Sequence, residues 1–462
     1  MGGVAKSALI CVGGGALGAA YGAPAGGVGA IPGAIGGCAV ALLLTAEGGC
    51  GGEEGASVPV QHGGSSTEQK PNVNVEDEAG NILELSGDPP SVYQEFEVPG
   101  LIDTLFPYPD GCYAVTSVSG TFIDPASKRL VRASTDGATI VADLATDRNY
   151  GPGEFLTGES VALAYQSSDM PEWGQDGLAH GVFVFNEGGN LEADYDLRAL
   201  GLTRPSALLE LDLNHNRKVF VLTNNGTSDR RVTFGDSSLV EIERPGNPAS
   251  PISVIGLPGY KNAGAMAHYD GNLVIAASDS LEETGEPTRF IVVDPETGEI
   301  LHKNIDPELP QGLGTNGNAP VSERGILFVG ATADGRSLAV VSGVAGVVGL
   351  ISLPDEIAST QVTTGRYAGR EMHTFVSGAE FTSSGSGIIY ALTRTVMNAS
   401  GTPELRGEIY FNHDAEPIDS TPAQFVVGPV SFAPGKTCEA ISGSGIDDEG
   451  NETSTIRLRE KK

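Results

Sequence analysis

Six residues carry the pattern best suited to chemistry: Arg204, Lys261, Asn262, Asn318, Arg370 and His373. They fall in four short polar segments, Arg204-Pro205-Ser206, Lys261-Asn262-Ala263, Asn318-Ala319-Pro320 and Arg370-Glu371-Met372-His373, each placed to lead into a strand. Three of the four carry a base, in a chain with only 27 Lys and Arg against 59 Asp and Glu. A guanidinium presents paired N–H donors that match a carboxylate or phosphate, and amide and imidazole groups can complete such a site. The chemistry is recognition of a small anion, or of an acidic group on a protein partner. No catalytic residue and no reaction follow from these positions.

Other motifs fall short of their templates. GxSxG is absent, so no nucleophile elbow is expected. Gly435-Lys436-Thr437 resembles a P-loop ending, but Gly428 stands two residues too far upstream and the setting is strand rather than helix. Asp212, Asn214 and Asn216 fit the first positions of a calcium loop, yet Arg217 replaces the required glycine and Thr223 the bidentate glutamate. Asp447-Asp448-Glu449-Gly450 reads as an acidic turn. The seven histidines show no metal-ligand spacing, and neither CxxC nor CxxCH occurs, so no metal and no cofactor are expected.

The elements that must position the basic segments come from a repeat. Runs rich in Val, Ile, Tyr and Phe recur between tight turns as Cys112–Val118, Val161–Gln166, Val219–Thr223, Leu273–Ala277, Leu338–Ser342, Ile388–Thr393 and Cys438–Ser442. Their spacing of roughly 50–65 residues suits propeller blades with loop insertions. A second family of strand ends, among them Val184-Phe185-Asn186, Thr233-Phe234-Gly235-Asp236, Val292-Val293-Asp294 and Tyr410-Phe411-Asn412, has six members. The last repeat therefore lacks an outer strand, which Val92–Val98 can supply from the start of the domain. The expected fold is all-β, a seven-bladed β-propeller over 91–462 closed by an N-terminal strand. Cys112 and Cys438 begin equivalent strands of the first and last blades and are expected to form a disulfide across the closure. On the face of the basic segments, 169–180 with the single Trp173 forms a long insertion.

Two segments precede this domain. Residues 1–50 carry no charge between Lys6 and Glu47, with glycines at every fourth position from Gly14 to Gly26. An export signal ending in a lipidated cysteine fits this stretch, and so does a retained glycine-zipper membrane anchor. Cys50 is the expected lipidation site, because the apolar run 39–45 precedes it and Gly51-Gly52-Glu53-Glu54 follows. Cys38 has apolar residues behind it, and Glu47 is the one departure around Cys50. Residues 51–90 are rich in Gly, Ser and acidic side chains and read as a flexible acidic tether. Both readings place the domain outside the cytoplasm, membrane-anchored in a bacterial periplasm or at a cell surface. The formal net charge of −32 opposes nucleic acid and anionic lipid surfaces, so membrane contact is expected only through the N-terminal anchor.

Val219-Phe220-Val221-Leu222-Thr223-Asn224-Asn225 and the hairpin Asp294-Pro295-Glu296-Thr297-Gly298 resemble the YVTN-type surface-layer and lactonase-like propellers. The YVTN tetrad itself is absent and the repeats are longer than usual for that family. The resemblance implies a propeller fold and export. The expected function is a ligand- or protein-binding module. The alternative is a propeller hydrolase or lactonase acting on a small anionic substrate at the channel mouth.

Overall fold

The computed structural model describes residues 89–460 apart from 122–123, 168–178, 230, 244, 262, 270, 278–288, 306–325, 332–337, 343–346, 352–359, 365–373, 382–387, 398–402, 412–416, 434 and 449. The leader, the tether and Cys50 lie outside the described residues.

Among the described residues the strands form seven four-stranded antiparallel sheets and one two-stranded hairpin. Sheets I to VI occupy 101–144, 148–196, 205–261, 263–305, 326–364 and 374–422, and each pairs its strands in chain order apart from the hairpin within sheet III. Sheet VII takes three strands from 425–460 and its fourth, Ser91–Pro99, from the beginning of the domain. The expected closing strand is therefore in place, Val98 opposite Ser454 and Phe96 opposite Ile456. The first strands of successive sheets pack on one another from I through VII, and that of VII packs back on that of I. This is a β-propeller arrangement.

All seven runs read from the sequence are second strands of their sheets. A second strand is flanked by partners on both sides and covered on both faces, so its central run is mostly apolar. Thr233-Phe234-Gly235-Asp236 departs from expectation: Arg231–Phe234 folds back on Gly226–Asp229, and the third strand of sheet III starts at Asp236. Side chains from neighbouring sheets interdigitate at the seams. Tyr113, Tyr150 and Leu163 lie between I and II; Leu156, Val182 and Val221 between II and III; Ile102, Phe425 and Leu458 between VII and I. Each fully buried side chain of this size contributes roughly 1.5–3 kcal/mol.

Two features lock the I–VII seam. Gly100 turns the chain from the outer strand of sheet VII into the first strand of sheet I at φ 88°, and a Cβ there would sit 2.3 Å from the Ser117 carbonyl oxygen. Only glycine fits that turn. Cys112 and Cys438 are bonded, with Cα atoms 6.2 Å apart and a sequence separation of 326. The expected disulfide is present. Further out, Arg459 grips buried Glu439 through two hydrogen bonds of 2.8 and 2.9 Å and reaches Asp419 at 2.9 Å, while Arg457 bonds Asp419 and Glu95, each at 2.8 Å. These pairs tie the closing strand, the rest of sheet VII and the last strand of sheet VI together.

The II–III seam holds a pair of carboxyl groups. Thr157 donates its N–H and its hydroxyl to one Glu210 oxygen, at 2.6 and 2.8 Å. Burial pushes the carboxyl of Glu154 up to about 8, helped by the charge of Glu210 and opposed by the Glu210 N–H. Glu154 therefore keeps its proton in the folded protein well above its ordinary value of 4.5. Between those two values the folded chain binds more protons than the unfolded chain, so stability falls as pH rises through that window. Glu154→Gln is expected to flatten this fall, its melting temperature exceeding that of wild type more at about pH 8.5 than at about pH 5. Parallel melting curves for the two proteins would expose an error here.

Candidate anion-binding rim

Strand register defines one rim of the described sheets, where first strands begin, second strands end and third strands begin. In sheet I this rim carries Leu101, Ser117 and Lys128; in sheet II, Arg148, Ser167 and His180; in sheet III, Pro205, Thr223 and Ser238. Arg204 precedes Pro205, and Lys261 precedes the first strand of sheet IV, Ala263–Tyr269. Arg204 and Lys261 thus lie where the repeat places them, at the starts of consecutive first strands. Asn262, Asn318, Arg370 and His373 lie outside the described residues, as does 168–178 with Trp173.

Arg204 is fixed by its backbone. It adopts φ 55°, its N–H donates to Nδ1 of His180 at 3.3 Å, and its carbonyl accepts from the Asn224 N–H at 3.2 Å. Asn225, at φ 47°, holds the preceding residue by accepting the Thr203 N–H on its side-chain oxygen at 3.1 Å. The tight turn around Asn224-Asn225 thus aims the chain at position 204. Burial pushes the Arg204 guanidinium below its ordinary value. Among the described residues no carboxylate pairs with it.

His180 is 6% exposed. Burial pushes it down to about 4, with the charges of Arg204 and Arg198 adding to the effect and Asp196 opposing it. The ring is neutral at pH 7. With Nδ1 accepting from Arg204, its proton sits on Nε2, which makes Nε2 a donor. The Arg204 charge thus acts on a neutral imidazole that its own backbone N–H holds, which brings a half-buried guanidinium and a ring N–H, both donors suited to an anion, into one neighbourhood.

Sheet II begins with a second basic residue, Arg148, whose guanidinium lies 4.3 Å from the ring centre of Tyr165 and 4.8 Å from that of Phe183. The Tyr165 hydroxyl donates to Asp194 at 2.7 Å. Lys128 crosses from sheet I, donating to the Arg148 carbonyl at 2.7 Å and to Oδ1 of Asn149 at 3.1 Å. Arg148 is itself the first residue of its first strand, whereas Lys261 ends the outer strand of sheet III just before the first strand of sheet IV. His180 carried no signal in the sequence, because it reads as the last residue of the insertion.

No family model matches the chain, and no curated protein does. Solved structures do. KlAtg21, in its complex with the coiled-coil of AgAtg16, is 10% identical over 74% of this chain and 91% of its own, with a TM-score of 0.44. KlHsv2 with loop 6CD replaced by a Gly-Ser linker is 10% identical over 78% and 99%, with a TM-score of 0.38. A candidate 6-phosphogluconolactonase from Bacteroides fragilis NCTC 9343 is 12% identical over 76% and 89%, with a TM-score of 0.38. Likeness at this level says nothing of ligand or activity.

Proposed function

We propose that 91–462 is a closed seven-bladed β-propeller acting as a binding module, and that it takes a small anion or an acidic group of a protein partner at the rim around Arg204. One observation carries this reading: in a chain of net charge −32, Arg204 is half-buried, has no carboxylate partner among the described residues, and stands beside a histidine held neutral. Desolvating a guanidinium costs free energy unless an anion repays it, so such a group is poised for one. The seven sheets and the packing of the first strands from VII back to I support the blade number. Lys261, just before the next first strand, extends the site along the same rim.

The reading is tested by calorimetric titration with citrate and with inorganic phosphate. Binding by wild type, weakened about 10- to 100-fold in Arg204→Gln with no change in melting temperature, is the expected result; that range corresponds to losing one charge-assisted interaction of roughly 1.5–3 kcal/mol. Equal affinity in the two proteins, or no binding by either, would refute it.

The proposed location is extracytoplasmic, with Cys50 carrying a lipid. The Cys112–Cys438 disulfide supports it, since such bonds persist in oxidising compartments. Radiolabelled palmitate supplied to a bacterial host should label the full chain, with label lost in Cys50→Ala and kept in Cys38→Ala. Label that survives Cys50→Ala would assign the lipid elsewhere.

A further inference from the structure

Each first strand carries a bulge or irregularity near its start, where it pairs with the second strand. The extra residues are Gly151-Pro152 in sheet II, Ser206 in III, Gly264 in IV, Leu327 in V, Ser377 in VI and Gly428-Pro429 in VII. In sheet I the position is held by Asp103. The repeat itself does not ask for a carboxylate here, since small or apolar residues build the same irregularity in the other six sheets. Bulges re-aim side chains, and a charged residue at one of them calls for a separate cause.

Asp103 is 6% exposed. Its Oδ2 accepts from the Ser117 hydroxyl, and its Oδ1 is buried with no hydrogen-bond partner in the structure. Burial pushes its carboxyl up, and the nearby positive charge of Lys128 opposes this. Lys128 is 3% exposed, and burial pushes it down against the charges of Asp103 and Asp147. The two charges feel each other without a direct ion pair. Lys128 spends one N–H on the Arg148 carbonyl and one on Asn149, which leaves its third. The buried Asp103 oxygen has no hydrogen-bond partner, and the Lys128 ammonium, also 6.0 Å from the centre of the Tyr150 ring, is near enough for its charge to act on that carboxyl. Such an oxygen costs free energy unless something donates to it.

The chemistry of the missing piece is narrow. It must donate to Asp103 and accept from Lys128. A carboxylate or phosphate cannot donate, and a protonated amine cannot accept; a hydroxyl does both. We propose that the gap between Asp103 and Lys128, at the seam of sheets I and II, is a subsite for one hydroxyl oxygen, supplied by water in the free protein or by a hydroxyl-bearing ligand such as a sugar. This site is separate from the Arg204 donor pair and does not depend on it.

The first test is a crystal structure of the protein grown without polyols or sugars. The expected result is an oxygen within about 3 Å of both Asp103 Oδ1 and Lys128 Nζ. A direct Asp103–Lys128 ion pair, or an empty gap, would overturn the proposal. The source is read by saturation-transfer difference NMR with methyl α-glucoside on the same protein. A signal in wild type that disappears in the double variant Asp103→Leu/Lys128→Met assigns the site to a ligand hydroxyl, while an ordered oxygen with no such signal assigns it to water. A signal that persists in the double variant places the sugar elsewhere and removes the ligand arm. The double variant removes both buried charges together, so neither is left uncompensated.

Discussion

Replacing Cys112 and Cys438 together by alanine is expected to cost about 5–6 kcal/mol, the loop-closure value for a disulfide spanning a separation of 326 residues. The magnitude is at the top of the usual range because entropy lost by the unfolded chain grows with the logarithm of loop length. The bond also sits where a ring must close: Cys112 is on the second strand of sheet I and Cys438 on the second strand of sheet VII. Neighbouring seam side chains Ile102, Phe425 and Leu458 remain packed without it, so the folded state should keep its structure at moderate temperature. Guanidinium unfolding of the variant should match that of wild type treated with a strong reductant. A midpoint unchanged by either treatment would mean that the seam closes on packing alone.

Arg459→Met carries the second large effect, roughly 3–5 kcal/mol, because it strands a buried charge. Glu439 is wholly buried and its carboxylate oxygens both lean on Arg459. Burial already pushes Glu439 up against the pull of Arg459, so removing the guanidinium leaves protonation as its main relief. Asp419 keeps its bond to Arg457. The double variant Arg459→Met/Glu439→Met should regain most of the loss, since apolar residues of similar volume fit the same space without a desolvation cost. Urea midpoints of the three proteins decide the matter: a single variant less than about 1 kcal/mol below wild type would show that water reaches Glu439.

The sequence announced the second strands and the closing strand most clearly. Val219–Thr223 and Leu273–Ala277 are apolar on both faces because both faces are covered, and that pattern needs no tertiary knowledge to read. Cys112 and Cys438 could be paired because they start equivalent repeats that a ring makes neighbours. The third strand of sheet III was less legible, because the inserted hairpin 226–234 carries the same β-branched and aromatic residues as the strand it interrupts. At the rim, the basic segments before sheets III and IV were readable, whereas Arg148 gives no such signal because it is the first residue of its strand rather than part of a segment leading into one. Asp103 was hidden in Leu101-Ile102-Asp103-Thr104-Leu105, which reads as an ordinary strand; only its burial in the structure, at a one-residue bulge, reveals it. The Arg459–Glu439 and Glu154–Glu210 contacts were equally invisible, since alternation places a charge in a strand without saying which neighbour it meets.

The central claim is that Arg204 and His180 form a donor pair waiting for an anion. Anomalous diffraction from a crystal soaked in tungstate tests it most directly, because the heavy oxyanion reports its own position. The account predicts tungstate oxygens within hydrogen-bonding distance of the Arg204 guanidinium and of Nε2 of His180. A protein carboxylate paired with Arg204, with no tungstate beside it, would contradict the account.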